Sequence, residues 1–362
     1  MFNILYIFIF LQSSILLSQA TKKCDPLTES NCTVTDLAFN KTSIEIDFSN
    51  KHNVYEYFEL YSNSGSLNYS DSGLNFTLNK RFDNPSLQSK FYIFFGKIEV
   101  VCTPAVGKGI ISTVYLQSDD LDEIDLEWVG TENTQVQTNW FSKGNTSTYD
   151  RGAYNSLSGD SIDLFETYHN YTIDWTKDSI KWYIDDQLVR TVGNKSSDGF
   201  PQSPMAVFIG VWAGGDPSNS EGTIQWAGGE TDYSDAPFSM LVKSMKIENY
   251  SDGKAYTYEG SSGDWEDILI EQNVTYSLSQ TSVSSSSIQS LTTKTLSSKS
   301  VIDSSSYYSS SFSNYYESET SSSKEIHISS QTKTAKGHAM ALQFTEEKIL
   351  MSLLCWFISM SI

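Results

Sequence analysis

The sequence predicts an all-β fold, a sandwich of two curved antiparallel sheets, and three observations point to it. Its apolar runs are short and rich in β-branched and aromatic residues, as strands are. Clusters of Gly, Asn, Asp and Ser separate the runs and supply turns. No long apolar stripe of period 3.6 is present, so helices have little to bury. In chain order the strand-like runs are Phe91 to Phe95, Ile110 to Leu116, Tyr171 to Trp175, Ile180 to Ile184, Met205 to Trp212 and Met240 to Ile247. Ile180 to Val189 reads as a hairpin that turns at Asp185-Asp186, a pair suited to a two-residue turn.

Composition narrows the function. The 362 residues carry 24 Lys and Arg against 44 Asp and Glu, a formal charge of -20. Such a chain repels phosphate backbones, which argues against a nucleic-acid partner. Four His and four widely spaced Cys do not supply the paired ligands of a zinc site, so no metal or other cofactor is expected.

The ends read as targeting segments. Residues 1–20 carry an apolar stretch, Leu5 to Leu17, and end in Ser18-Gln19-Ala20, small residues suited to signal-peptidase cleavage, although no Lys or Arg precedes the stretch. Residues 274–336 collapse to Ser and Thr with scattered Tyr and Lys. They cannot bury enough apolar surface to fold, and they read as an O-glycosylated stalk. Residues 337–362 have the order of a GPI attachment signal: small residues at Gly337 and Ala339, a more polar spacer, then an apolar tail from Ile349 to Ile362. Gly337 is the expected attachment residue. That leaves residues 21–273 as one folded domain. A secretory route agrees with sequons at Asn31, Asn40, Asn68, Asn75, Asn145, Asn170, Asn194, Asn249 and Asn273. Cys24 and Cys32 are close enough to form a disulfide in that compartment, whereas Cys102 sits in an apolar run and reads as a buried thiol.

The chemistry is concentrated in Asp119 to Trp128. Glu123, Asp125 and Glu127 alternate with Ile124, Leu126 and Trp128, which gives a strand one acidic and one apolar face. In a helix Asp125 would point away from both Glu residues. Three carboxyl groups in a row repel one another and raise at least one pKa. A retaining glycosidase uses that arrangement, with one carboxylate as nucleophile and one protonated carboxyl as acid/base, about 5 to 5.5 Å apart. Strand spacing alone does not say which Glu is which. A calcium loop would need a Gly at the bend, which is absent; an edge strand blunted by charge is the competing reading for the segment by itself.

Residues Tyr115 to Gly130 closely resemble the active strand of glycoside hydrolase family 16, in particular its fungal Crh-type cell-wall transglycosylases. Further pieces match in order: Arg81 to Pro85, Phe141 to Gly144, His169 to Trp175, Pro201 to Met205, Trp212 to Pro217 and Gly222 to Glu230. The resemblance spans Cys24 to Trp265. It implies a β-jelly-roll and a double displacement that moves a cleaved chitin chain onto β-1,6- or β-1,3-glucan, or onto a chito-oligosaccharide. Carried over, it makes Glu123 the nucleophile, Asp125 its assistant and Glu127 the acid/base and a substrate contact. It also implies a wall protein held at the outer face of the plasma membrane by its GPI anchor.

Trp212 and Trp226 each open a Trp-Ala-Gly-Gly unit, where a ring can present a flat face to a pyranose. The resemblance favours sugar contacts for Trp212 and Thr223, while for Trp226 a core role competes evenly. Phe208 shares a strand face with Gly210 and Trp212, although family members often carry a polar or basic residue there. Cys102 likewise stands where an aliphatic residue is usual. His169 has no task in such a mechanism and reads as structural. Two other functions remain open at this stage: a plain β-glucanase or chitinase, and a non-catalytic wall lectin. The three adjacent carboxyl groups argue against the lectin.

Overall fold

The computed structural model describes residues 24–272 apart from 30, 31, 33, 148–150 and 158–161. The expected signal peptide, stalk and GPI site at Gly337, and the sequons at Asn31 and Asn273, lie outside the described residues. Two antiparallel sheets pack face to face. One has seven strands in the order Ala153–Asn155, Val136–Phe141, Glu123–Val129, Ile110–Ser118, Met205–Ala213, Ser86–Ile93 and Phe58–Ser62. The second runs Gln187–Gly193, Ser179–Ile184, His169–Trp175, Gly96–Thr103, Phe238–Asn249, Gly73–Leu78 and Ser66–Ser70, with Ser43–Asp47 also paired to Phe238–Asn249. A small third sheet joins Thr35–Leu37, Ala255–Tyr258 and Ile268–Glu271.

Alternation decides which face is inside. Ile124, Leu126 and Trp128 of one sheet are buried with Ile173, Trp175 and Trp182 of the other, so the facing sides form the core and the opposite face of the seven-stranded sheet is left for polar groups. Among the described residues the α-helices are short, Lys51–Tyr57 and Glu221–Trp226. The hairpin turns at Asp185 and Asp186, with φ of 47° and 64°, the left-handed pair that a type I′ turn requires. Asp185 also ties down the neighbouring strand: one carboxylate oxygen lies 2.6 Å from His169 Nδ1 and the other accepts the Asn170 amide at 2.8 Å. His169 thus serves the hairpin.

Phe94 and Phe95 depart from the strand reading. They lie between Ser86–Ile93 and Gly96–Thr103, where Phe95 turns the chain at φ 57°. Their rings stack on each other, and Phe95 packs on Trp175, so burial rather than sheet pairing explains that apolar run. Cys24 and Cys32 are joined by a disulfide, and Cys102 is a buried free thiol.

The sequons divide. Asn40, Asn68, Asn145 and Asn194 are exposed, and Asn75 and Asn170 are half-buried. Asn249 corrects the sequence expectation. It is 6% exposed; its amide nitrogen donates to Phe39 O, Ser251 O and Tyr256 Oη, and its Oδ1 accepts the Phe94 amide. Such an asparagine has no room for a glycan in the folded domain.

Candidate active site

Strand Glu123–Val129 lies between Ile110–Ser118 and Val136–Phe141, so its polar face meets their polar faces in register. Glu123 is paired with Gln117 and Phe141, Asp125 with Tyr115 and Asn139, and Glu127 with Thr113 and Gln137. Gln117 Nε2 donates to Glu123 Oε2 at 2.5 Å, and Asp125 is hydrogen-bonded to Glu123. From the core, Trp182 Nε1 donates to the Asp125 main-chain oxygen at 3.1 Å. Strand Glu123–Val129 is thereby pinned to the opposite sheet.

The electrostatics separate the three carboxyl groups. Burial pushes the Glu123 pKa up, while the hydrogen bonds from Asp125 and Gln117 act against that rise because they favour its charged form. Asp125 is raised well above the usual carboxylate range, first by burial, then by the charges of Glu123 and Glu127 and by its hydrogen bond to Glu123; Arg151 offsets part of this. Glu127 is pushed up to about 8, by burial and then by Glu123. The hydrogen bonds from Gln117 and Asp125 thus favour the charged form of Glu123, whereas burial and neighbouring charge favour the protonated forms of Asp125 and Glu127. The two glutamates therefore differ in their surroundings: hydrogen-bond donors face Glu123, and burial favours a proton on Glu127.

Around this row the face is aromatic. The rings of Tyr115 and Phe208 stack at 4.7 Å with planes 6° apart, and Tyr61 meets Phe208 edge-on at 5.1 Å. Phe208 is thus on the floor of the carboxylate face but only 6% exposed. Trp212 and Trp226 stack on each other at 6.1 Å, half-buried above Ile111, Val129 and Ala227, and Trp226 Nε1 donates to Gln137 Oε1 at 2.8 Å. Thr223 belongs to helix Glu221–Trp226, where its amide is capped by Ser220 Oγ and its hydroxyl lies 2.8 Å from that same oxygen. The glycines of the two Trp-Ala-Gly-Gly units have a different reason from the one expected: they let the two segments touch. A Cβ on Gly215 would stand 2.2 Å from the Gly229 carbonyl oxygen.

Gln117, Tyr115, Gln137 and Tyr61 escaped the sequence reading. The first two were accessible, because a tight turn at Ser118–Asp122 puts Gln117 opposite Glu123 and carries Tyr115 to Asp125. Tyr61 and Gln137 come from strands whose pairing has no local signal.

Comparison with known proteins agrees with this geometry. The family described as glycosyl hydrolases family 16 matches residues 54–228. Congo red hypersensitive protein 1 of Saccharomyces cerevisiae is 50% identical over 254 residues, 70% of this chain and 48% of that protein. A Crh-like protein of Arthroderma benhamiae is 42% identical over 263 residues, 72% of this chain and 70% of that protein. A solved structure, Crh5 transglycosylase in complex with NAG, superposes with a TM-score of 0.64 at 44% identity, over 69% of this chain and all of that one. The fold and the carboxyl row have the arrangement that retaining glycosidases use. The chain belongs to glycosyl hydrolases family 16, among its Crh-like proteins. It spans about half the length of the first two relatives it matches.

Proposed function

We propose that the protein is a retaining transglycosylase that cleaves chitin and transfers the released chain to β-1,6-glucan, β-1,3-glucan or a chito-oligosaccharide, cross-linking a fungal cell wall. The observation that carries this reading is the difference between two glutamates on one strand: hydrogen bonds from Gln117 and Asp125 favour the charged form of Glu123, and burial pushes the Glu127 pKa up to about 8. Glu127 gives its proton to the glycosidic oxygen while Glu123 attacks the anomeric carbon, forming a glycosyl-enzyme. Glu127, now a carboxylate, takes the proton of an incoming sugar hydroxyl, which displaces Glu123. Asp125 holds Glu123 in place and returns hydrogen-bond strength as negative charge develops on the departing carboxylate.

Trp212, Trp226, Thr223 and Phe208 are the proposed donor contacts, with Glu127 at the scissile bond. The paired indoles offer an apolar face to a pyranose, and Phe208 supports Tyr115 beside the carboxyl groups. Transfer over hydrolysis is supported by the likeness to Crh5 transglycosylase, since the carboxyl row serves both outcomes. Placement in the wall and at the outer membrane face rests on the sequence of residues 1–20 and 274–362, with GPI attachment at Gly337. The test is incubation of the protein with a chitin donor and labelled laminari- and chito-oligosaccharides. Label in longer hybrid chains supports transfer, and labelled fragments that only shorten identify a hydrolase.

A further inference from the structure

Outside the carboxyl row, a second ionic cluster is buried beneath the turn that delivers Glu123, and no step of the proposed reaction uses it. The turn Ser118–Asp122 carries Leu121 at φ 64°, and the turn packed against it carries Lys143 at φ 52°. Side-chain-bearing residues are unfavourable in that region and stay there only where their surroundings hold them. Here the surroundings are specific. The Lys143 amide donates to Asp122 Oδ1 at 2.9 Å, and the Gly144 amide donates to the Leu121 carbonyl oxygen at 2.8 Å. Lys143 Nζ lies 3.1 Å from Asp120 Oδ2 and 3.2 Å from Asp122 Oδ2, and both carboxylates are fully buried. Asp122 Oδ2 also accepts the amides of Gln202 at 2.6 Å and Ser203 at 3.1 Å.

The cluster is closed by a segment beyond residues 54–228, the stretch that the family match covers. The Gly263 carbonyl oxygen accepts from Lys143 Nζ, and Ser203 Oγ lies 2.6 Å from Asp120 Oδ2 and 2.9 Å from that same carbonyl oxygen. Gly263 has φ 64°, and a Cβ there would stand 2.3 Å from Asp120 Oδ2 and 2.6 Å from Lys143 Nζ. Only glycine lets the segment come this close. Burial works against the charge on Lys143, yet Asp122 and Asp120 outweigh it and raise its pKa, so the clamp is ionic.

We propose that Lys143 is a positioning residue for the nucleophile: by clamping Asp120 and Asp122 under the segment at Gly263, it fixes the strained turn and with it the aim of Glu123. This rests on the assignment of Glu123 in the proposed function. Lys143 acts through Asp122, the residue before Glu123 in the chain. Trp212, paired through Ile111 to Val129 at the other end of the catalytic strand, lies outside the clamp. Loosening the clamp should therefore slow the chemistry and spare donor binding. A misplacement on the order of 1 Å can cost roughly 100-fold in rate.

The test compares the full chain with Lys143→Met, Lys143→Arg and Ser203→Ala, measuring transfer kinetics and hydrogen exchange of residues 116–126. Lys143→Met is expected to lower kcat roughly 10- to 100-fold with KM within about twofold, and to speed exchange at residues 118–124 more than in the rest of the domain. Ser203→Ala should move both readouts the same way by less, and Lys143→Arg should recover part of the rate. An unchanged kcat, or exchange that rises evenly across the domain, overturns the proposal. If Lys143→Met fails to fold, the same contrast in Ser203→Ala decides. Wild-type protein that is inactive on every glycan overturns the proposed function instead, and local exchange still decides the clamp.

Discussion

Replacing Glu123 with Gln removes a negative charge from beside Glu127 and leaves the burial of Glu127 in place. Burial is the larger cause of its rise from 4.5 to about 8, so the charge accounts for less than half. That leaves the charge under half of the rise, on the order of 2 kcal/mol at most. Glu123→Gln should therefore lower the Glu127 pKa by on the order of one unit and leave it well above the ordinary glutamate value. Carboxyl carbon NMR on the Glu-labelled protein reads this directly, with Glu127→Gln assigning the signal. A pKa that stays near 8 would show that the two groups do not sense each other. A fall to about 4.5 would show that burial is not what holds the proton on Glu127. In the wild type the sign follows from the proposed reaction, which needs Glu127 protonated and Glu123 ionised. The basic limb of kcat/KM should therefore fall near pH 8, and the acidic limb should lie above the ordinary glutamate value.

Asp125→Asn keeps a donor to Glu123 and should cost less than about tenfold in kcat, whereas Asp125→Ala removes a hydrogen bond to a charged group, about 1.5–3 kcal/mol or roughly 10- to 150-fold. Comparable losses in steady-state kinetics would refute the donor role. Trp182→Phe loses the Nε1 bond to the Asp125 main chain and part of a core indole, so denaturant unfolding should show about 2–4 kcal/mol of lost stability. A change under ~0.5 kcal/mol would mean that Trp182 does not pin the strand. Glycopeptide mass spectrometry should find glycans among Asn40, Asn68, Asn145 and Asn194 and none at Asn249, and an occupied Asn249 in folded protein would contradict the burial described above.

Much of the fold was legible because strand patterning is local. The alternation in Glu123 to Trp128 announces which residues face the core, and Asp185-Asp186 announces a turn without reference to distant chain. Phe94 and Phe95 misled for the same reason: their composition is that of a strand, and the packing of Phe94 on Tyr256 and of Phe95 on Trp175 explains their burial in a turn. From spacing the site was legible as a set of groups, and the roles came only with the family resemblance. What distinguishes the two glutamates is the hydrogen bond from Gln117, brought opposite Glu123 by the hairpin, and the one from Asp125, and neither is written in the spacing of the carboxyl residues. The sequon at Asn249 is a three-residue pattern, and its burial is set by Phe39 and Tyr256, which lie outside it. The repeated Trp-Ala-Gly-Gly units were visible, but the contact between Gly215 and Gly229 that explains them joins two loops across the fold.

The central claim is that Glu123 forms a glycosyl-enzyme that a sugar hydroxyl intercepts. The most direct measurement is transfer from chitin to fluorescent laminari- and chito-oligosaccharides by the full chain, alongside its Glu123→Gln variant. Label in chitin-linked hybrid chains with the wild type and none with the variant is the predicted result. Hybrid chains formed equally by both proteins would contradict the account, because the nucleophile would then lie elsewhere.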